Sequence, residues 1–387
     1  MPEEPRAAET APSVAAPGSP PVGWFELFFD LVVVAAVNVT NDRYLEHPSG
    51  GTALIAVLGL VSLCWVWFLT TTANNVYPVS GALRRGLVLV QMGALILAAL
   101  AIDYGDPIRM SRGLAVYGLA LIISAALFFL GGGGSRQAPL ARQAIFVSIG
   151  GAICVVAGLF GLDPLWPYLV IALGIGIIPG LTMHRTASPP VFVARPDHLR
   201  ERLGLFILIV LGDGFLLLVQ ALGAKGSVPN LGVFAMTFII SVSIWALYFE
   251  GTFPHSVSMV AMRWRLSLLA HLTLVFGMIA TLDCLVLFTA REQDRLGEQH
   301  LAYFAGGITV ILLSFAVLGF CVHGRLGLVG AVQAISGLAV AVAGVLWLPG
   351  ADVPVYSVML AAGLVVGANA GFAVWRIRAI IPIPQTR

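Results

Sequence analysis

Charge is what this chain has least of. Asp, Glu, Lys and Arg together make up 10% of its 387 residues, where a soluble globular domain carries about 25%. So few charged groups cannot clothe a folded core in water, which excludes an ordinary soluble domain. Paired cysteines are missing too. Cys64, Cys154, Cys284 and Cys321 lie far apart, in or beside apolar stretches, and form no CxxC pair. A zinc knuckle and a disulfide framework are therefore unsupported, and no metal is expected. The net charge of +2 is scattered along the chain, too weak a field for a nucleic-acid partner. There is no GxxxxGK[ST] phosphate loop and no HExxH pair, and the GGGG run at 131–134 lacks the lysine a nucleotide loop needs. No cofactor is expected.

Residues 1–21 lack any apolar run. Their Pro, Ala and acidic composition reads as a disordered tail, not as a signal peptide, which would set a basic stretch before an apolar core. Insertion then falls to the first apolar helix.

What the chain has is hydrocarbon: 59% of its residues are hydrophobic and the mean hydropathy is +0.95. About 20 helical residues span the apolar layer of a bilayer. Apolar blocks between polar or Pro/Gly breaks predict helices at 24–40, 52–73, 84–103, 112–130, 141–161, 165–183, 201–222, 230–251, 265–288, 301–321, 325–347 and 354–376. The blocks are continuous and do not alternate, which argues against barrel strands. The expected fold is an all-α integral membrane protein of about twelve transmembrane helices.

Basic residues give an independent check. With the N-terminus inside, 15 of the 21 Lys and Arg fall on the cytoplasmic side, a positive-inside bias that sets both termini in the cytoplasm of a bacterial inner membrane. The polar connection before residue 201 divides the chain evenly. We expect a tail at 1–21, a six-helix unit at 22–184, a cytoplasmic linker at 185–200, a second six-helix unit at 201–378 and a tail at 379–387. Arg85 precedes Gln91 by six residues as Arg265 precedes His271, and Trp67 and Trp245 occupy similar positions. These correspondences suggest two parallel repeats.

Ionisable groups inside such blocks are costly and normally face the bundle interior. Glu26 and Asp30 share a helix face, and Asn38 extends it; they read either as a cation-attracting stripe or as partners for cytoplasmic-side arginines. Asp213 stands near the middle of its helix between Gly212 and Gly214, with Arg202 and Gln220 projecting to the same side. His271 could relay protons or simply bond a neighbouring backbone group, and Asp283 lies farther along that helix. Glu250 ends the eighth predicted helix, where Arg263 or Arg265 is the simplest partner. Asn74 and Asn75 could cap the second helix or line a vestibule. The tryptophans read first as interfacial anchors and packing residues.

The segments WFELFFDLVVVAAV at 24–37, HLRERLGLFILIVLGDG at 198–214, WALYFEG at 245–251 and LLAHLTLVFGMIA at 268–280 resemble the bacterial low temperature requirement A family over nearly all of the chain after residue 21. The resemblance implies a multi-pass inner-membrane protein and marks Glu26, Phe29, Asp30, Glu201, Arg202, Gly204, Gly212 and His271. Two positions depart from the family pattern: Asp213 stands where glutamate is common, and Glu250 where aspartate often ends the motif. A weaker similarity links FFDLVVVAAV to the first-helix Phe-x-Asp signature of a family of lysosomal and bacterial potassium channels, though the second half has no such signature.

Transport or conduction of a small ion or polar solute is the function these features favour. A membrane-embedded enzyme using Glu26, Glu201, Arg202 and Glu250 is one alternative, and a structural or sensory protein another. The expected partners are membrane lipid and a small cation or proton, with a homo-oligomer compatible with the sequence. A structural role requires every intramembrane acid to sit in a closed pair.

Overall fold

The computed structural model describes residues 22–77, 81–131, 138–162, 195–224, 231–252, 263–290, 297–347 and 354–380. Their regular elements are all helices: α1 Trp24–Glu46, α2 Gly50–Val76, α3 Ala82–Leu100, α4 Pro107–Gly131, α5 Ala138–Leu159, α6 Pro196–Ala224, α7 Leu231–Trp245, α8 Arg263–Ala290, α9 Glu298–His323, α10 Leu328–Trp347 and α11 Val355–Ile380. Helix α7 continues as a π-helical turn over Ala246–Thr252. Ten segments are long and apolar enough to cross a membrane, and the shorter apolar stretch Ala144–Leu159 lies in α5. The chain is a multi-pass membrane protein. The crossing expected at 165–183 lies outside the described residues.

Most helices overrun their apolar blocks, because polar residues continue the helix wherever a partner or water satisfies them. Helix α1 runs past residue 40 through Asn41, Asp42 and Arg43 to Glu46. Helix α6 starts at Pro196, inside the stretch read as linker, and proline suits a first turn whose N–H has no helical partner. Ser49 caps α2 by accepting from the Thr52 N–H at 3.1 Å. Gly324, at φ 73°, closes α9 with its N–H on the Phe320 carbonyl, a left-handed conformation that favours glycine.

The outer surface is apolar. On α10, Ile335, Leu338, Val342 and Val345 are 55–72% exposed and recur at helical spacing, which is a lipid-facing stripe. Inside, close helix approach relies on small residues: a Cβ added at Gly277 of α8 would stand 2.9 Å from the Gly307 carbonyl oxygen of α9. Glycine is required at that crossing.

Two groups of helices meet across α1. Within the first, α3 packs on α1 and α4, and α4 packs on α5; within the second, α8 packs on α6 and α9, and α9 packs on α10. Helix α1 also touches α6 and α8, so one of its faces lines the boundary between the groups.

Polar groups away from that boundary are mostly tied to backbone. Gln91 accepts from Thr70 at 3.0 Å and donates to the Ala120 carbonyl at 2.9 Å and Ser124 at 2.7 Å. Arg84 turns inward and donates to the Leu127 carbonyl at 2.8 Å, whereas Arg85, singled out from the sequence, is exposed. Trp67 is fully buried while Trp245 is 40% exposed, so the two do not share an environment. The cap of α2 comes from Arg195, whose side chain donates to the Asn74 and Asn75 carbonyls at 2.7 and 2.8 Å, while the Asn75 side-chain amide bonds the Arg195 backbone.

Candidate functional site

Residues at 26, 30, 38 and 41 of α1 recur on one helix face, a seam about 22 Å long at 1.5 Å per residue. The seam has two halves of different chemistry.

In the first half, near the start of α1, Asp30 is 0% exposed. Its carboxylate accepts from the Trp67 indole N–H at 2.6 Å and from the Arg202 guanidinium at 2.8 and 3.2 Å. Arg202, also 0% exposed, reaches Glu26 at 3.4 Å. Glu26 further contacts His198 Nε2 at 3.1 Å and accepts from the Gly23 N–H at 3.2 Å. Phe206 stacks on Trp67 at 4.5 Å between ring centroids, and the Phe29 ring lies 5.9 Å from the guanidinium carbon. Desolvating this many charges is unfavourable unless the geometry satisfies them. Two edges of one guanidinium serving two carboxylates, with an indole supplying a further donor, meet that requirement.

In the second half the acids come from other helices. Asn38 donates to Asp213 of α6, and Asn41 donates to Asp283 of α8. Tyr303 of α9 donates its hydroxyl to the Asn41 amide oxygen, and its ring packs 4.6 Å from that of Tyr44. Each Asp meets an amide, and among the described residues neither touches a cationic side chain. Their charges and that of Asp42 act on one another. Gly214 lets α6 draw close: a Cβ there would meet the Leu282 side chain at 2.7 Å. Gly212 faces open space instead, so only one of the two glycines beside Asp213 serves packing.

The seam thus gathers Glu26, Asp30, Asn38, Arg202, Asp213 and Asp283 from the sequence candidates. It leaves three outside. Gln220 is exposed and not turned into the bundle: seven residues beyond Asp213 it retains the helical phase, but α6 has by then passed the seam. Glu250 is exposed in the π-helical turn, and the side chains of Arg263 and Arg265 lie outside the described residues. His271 is buried with Nδ1 2.7 Å from the Ser267 carbonyl, and it packs edge-on to Tyr248 at 5.8 Å, the bland alternative among its two expected roles.

Four members went unnoticed in the sequence. Asn41 fell beyond the expected end of α1, although it follows Asn38 by three residues on the same face. His198 precedes Arg202 by four residues, a helical spacing that the polar, proline-containing surroundings of residue 198 hide. Trp67 looked like an anchor, and an indole N–H in mid-helix was the available signal. Tyr303 carried no signal, since only the fold brings α9 to α1.

A helical bundle of this kind, apolar outside and polar along one internal seam, defines a multi-pass membrane protein with intramembrane acids. Residues 21–368 match the family described as Bacterial low temperature requirement A protein (LtrA), and the chain belongs to that family. It is also 28% identical over 248 residues to the uncharacterized protein RA0937 of Rhizobium meliloti (strain 1021), a match covering 58% of this chain and 57% of that protein. The chain thus spans little more than half the length of that relative.

Proposed function

We propose that the protein moves a small cation, most simply a proton, along the α1 seam, with Asp213 and Asp283 as the exchanging groups. One observation carries this reading: acids on two different helices both turn to asparagines of α1 and, among the described residues, meet no positive side chain. A carboxylate at bilayer depth is retained where a counter-charge or a passing ion accommodates it, and no counter-charge among the described residues is in contact. The hydroxyl–amide–carboxylate series Tyr303, Asn41, Asp283 supplies donors and acceptors in sequence. In this account Asp30 and Glu26 take the second of their two expected roles and serve with Arg202 as the clamp that fixes α1 against α6.

The topology we propose has twelve crossings, both termini on the cytoplasmic side of a bacterial inner membrane, and two parallel repeats. Support for the count comes from the described ends of the 163–194 stretch. Ser111, in the first turns of α4, donates to the Leu162 carbonyl at 3.0 Å, while Arg195 sits at the C-terminal end of α2. Those two helix ends belong to opposite faces of the bundle, so an odd number of crossings fits between them. The matching packing order of the two helix groups favours a repeat.

A scaffold role is the second reading, favoured by the closed Arg202 cluster. Flux of H+, Na+ and K+ into proteoliposomes separates the two. Movement of one of these ions above that of protein-free vesicles, lost in Asp213→Asn, is the expected result. Wild-type vesicles as tight as protein-free ones would overturn the proposal.

A further inference from the structure

Away from the seam, a cavity of about 500 Å³ opens where the π-helical turn of α7, the end of α9, the start of α10 and the end of α11 meet. Its size falls within the ~300–1,000 Å³ of ligand pockets. Phe315, Leu247 and neighbouring apolar atoms make most of its wall, and Arg325 and Arg376 stand in its lining. No carboxylate residue lines it, and neither arginine has a carboxylate partner among the described residues. Gln333 supplies the second observation. It is 4% exposed, lines the cavity, and makes no side-chain hydrogen bond among the described residues. Its amide opens onto the cavity with no partner among the described residues, so a ligand reaching into the cavity can bond it.

Position narrows the ligand. Arg325 lies in the turn between α9 and α10, and Arg376 near the end of α11, both at helix ends. Gln333 lies five residues into α10, about 7–8 Å deeper along the axis. The site therefore has two guanidiniums at the membrane surface, an amide donor and acceptor below them, and an apolar wall. Paired guanidiniums match phosphate oxygens bidentately, and basic pockets between membrane helices bind anionic headgroups.

We propose that this cavity binds an anionic phospholipid, with the headgroup phosphate held by Arg325 and Arg376. Gln333 bonds the glycerol or ester oxygens, and the acyl chains leave over Phe315 and Leu247. The site is separate from the α1 seam and does not depend on cation movement there.

The test uses full-length protein in nanodiscs of phosphatidylcholine containing phosphatidylglycerol, with retained lipid counted by native mass spectrometry. Wild type is expected to retain phosphatidylglycerol at least about tenfold over phosphatidylcholine, because both lipids offer the phosphate but the two guanidiniums repel the choline cation. The double variant Arg325→Gln/Arg376→Gln is expected to lose that preference, and Gln333→Leu to lower the retention of both lipids severalfold. Should the double variant fail to fold, Arg325→Lys/Arg376→Lys keeps the charge, and a reduced but remaining preference is expected. Equal retention of the two lipids by wild type would overturn the proposal. So would an undiminished preference in a folded double variant, and so would displacement of the lipid by millimolar inorganic phosphate, which would make the site one for a free anion.

Discussion

The two halves of the α1 seam solve one problem in opposite ways. Both hold two carboxylates among apolar helices. Around Glu26 and Asp30 a guanidinium, an imidazole and an indole converge, so the acids are bound by groups that cannot leave. Around Asp213 and Asp283 there are asparagine amides and a phenol. Amides orient a carboxylate without neutralising it. The difference teaches that intramembrane acids in one protein need not share a role: the first pair reads as a fastener between α1 and α6, the second as a site open to a mobile charge.

Breaking the fastener should have the largest effect. Arg202→Ala strands Asp30 and Glu26 without their cation, and removing one partner of a buried ion pair costs about 3–5 kcal/mol. We expect a large fall in the thermal midpoint of the detergent-solubilised protein, or no folded protein at all. Trp67→Phe keeps the stacking on Phe206 and removes one donor from Asp30, so a loss of about 1.5–3 kcal/mol is expected, read from the same melting curve. Tyr303→Phe touches the other half and removes a neutral donor from Asn41. Its expected cost is about 0.5–1.5 kcal/mol, and under the conduction account it slows flux by more than that small loss suggests. Gln220→Ala and Glu250→Gln lie outside the seam and should change stability by no more than about 0.5 kcal/mol, with flux unaltered. A Gln220→Ala variant without flux would extend the path beyond Asp213.

Much of this was legible in the sequence, because lipid imposes a strict code. Apolar blocks of spanning length gave the helices, and helical spacing gave the shared face of Glu26, Asp30 and Asn38 and that of Arg202 and Asp213. The rule that buried acids find partners anticipated that these faces would meet something polar. It did not say which partner each acid takes. Asp30 meeting Arg202 and Asp213 meeting Asn38 depend on how α6 lies against α1, a tertiary fact with no local trace. Helix ends leave the faintest trace in the sequence, since hydropathy stops at the first polar turn while the backbone does not, and this hides His198 and Asn41. Gln220 shows the converse error, a residue in helical phase with the seam yet beyond its end.

The central claim is that stability resides in one half of the seam and ion movement in the other. Its most direct test measures both quantities on the same preparations, reconstituted Trp67→Phe beside reconstituted Asp213→Asn/Asp283→Asn. The account predicts that the tryptophan variant melts earlier yet still carries the ion, while the double aspartate variant melts near wild type and carries none. A double aspartate variant that conducts as well as wild type would contradict it.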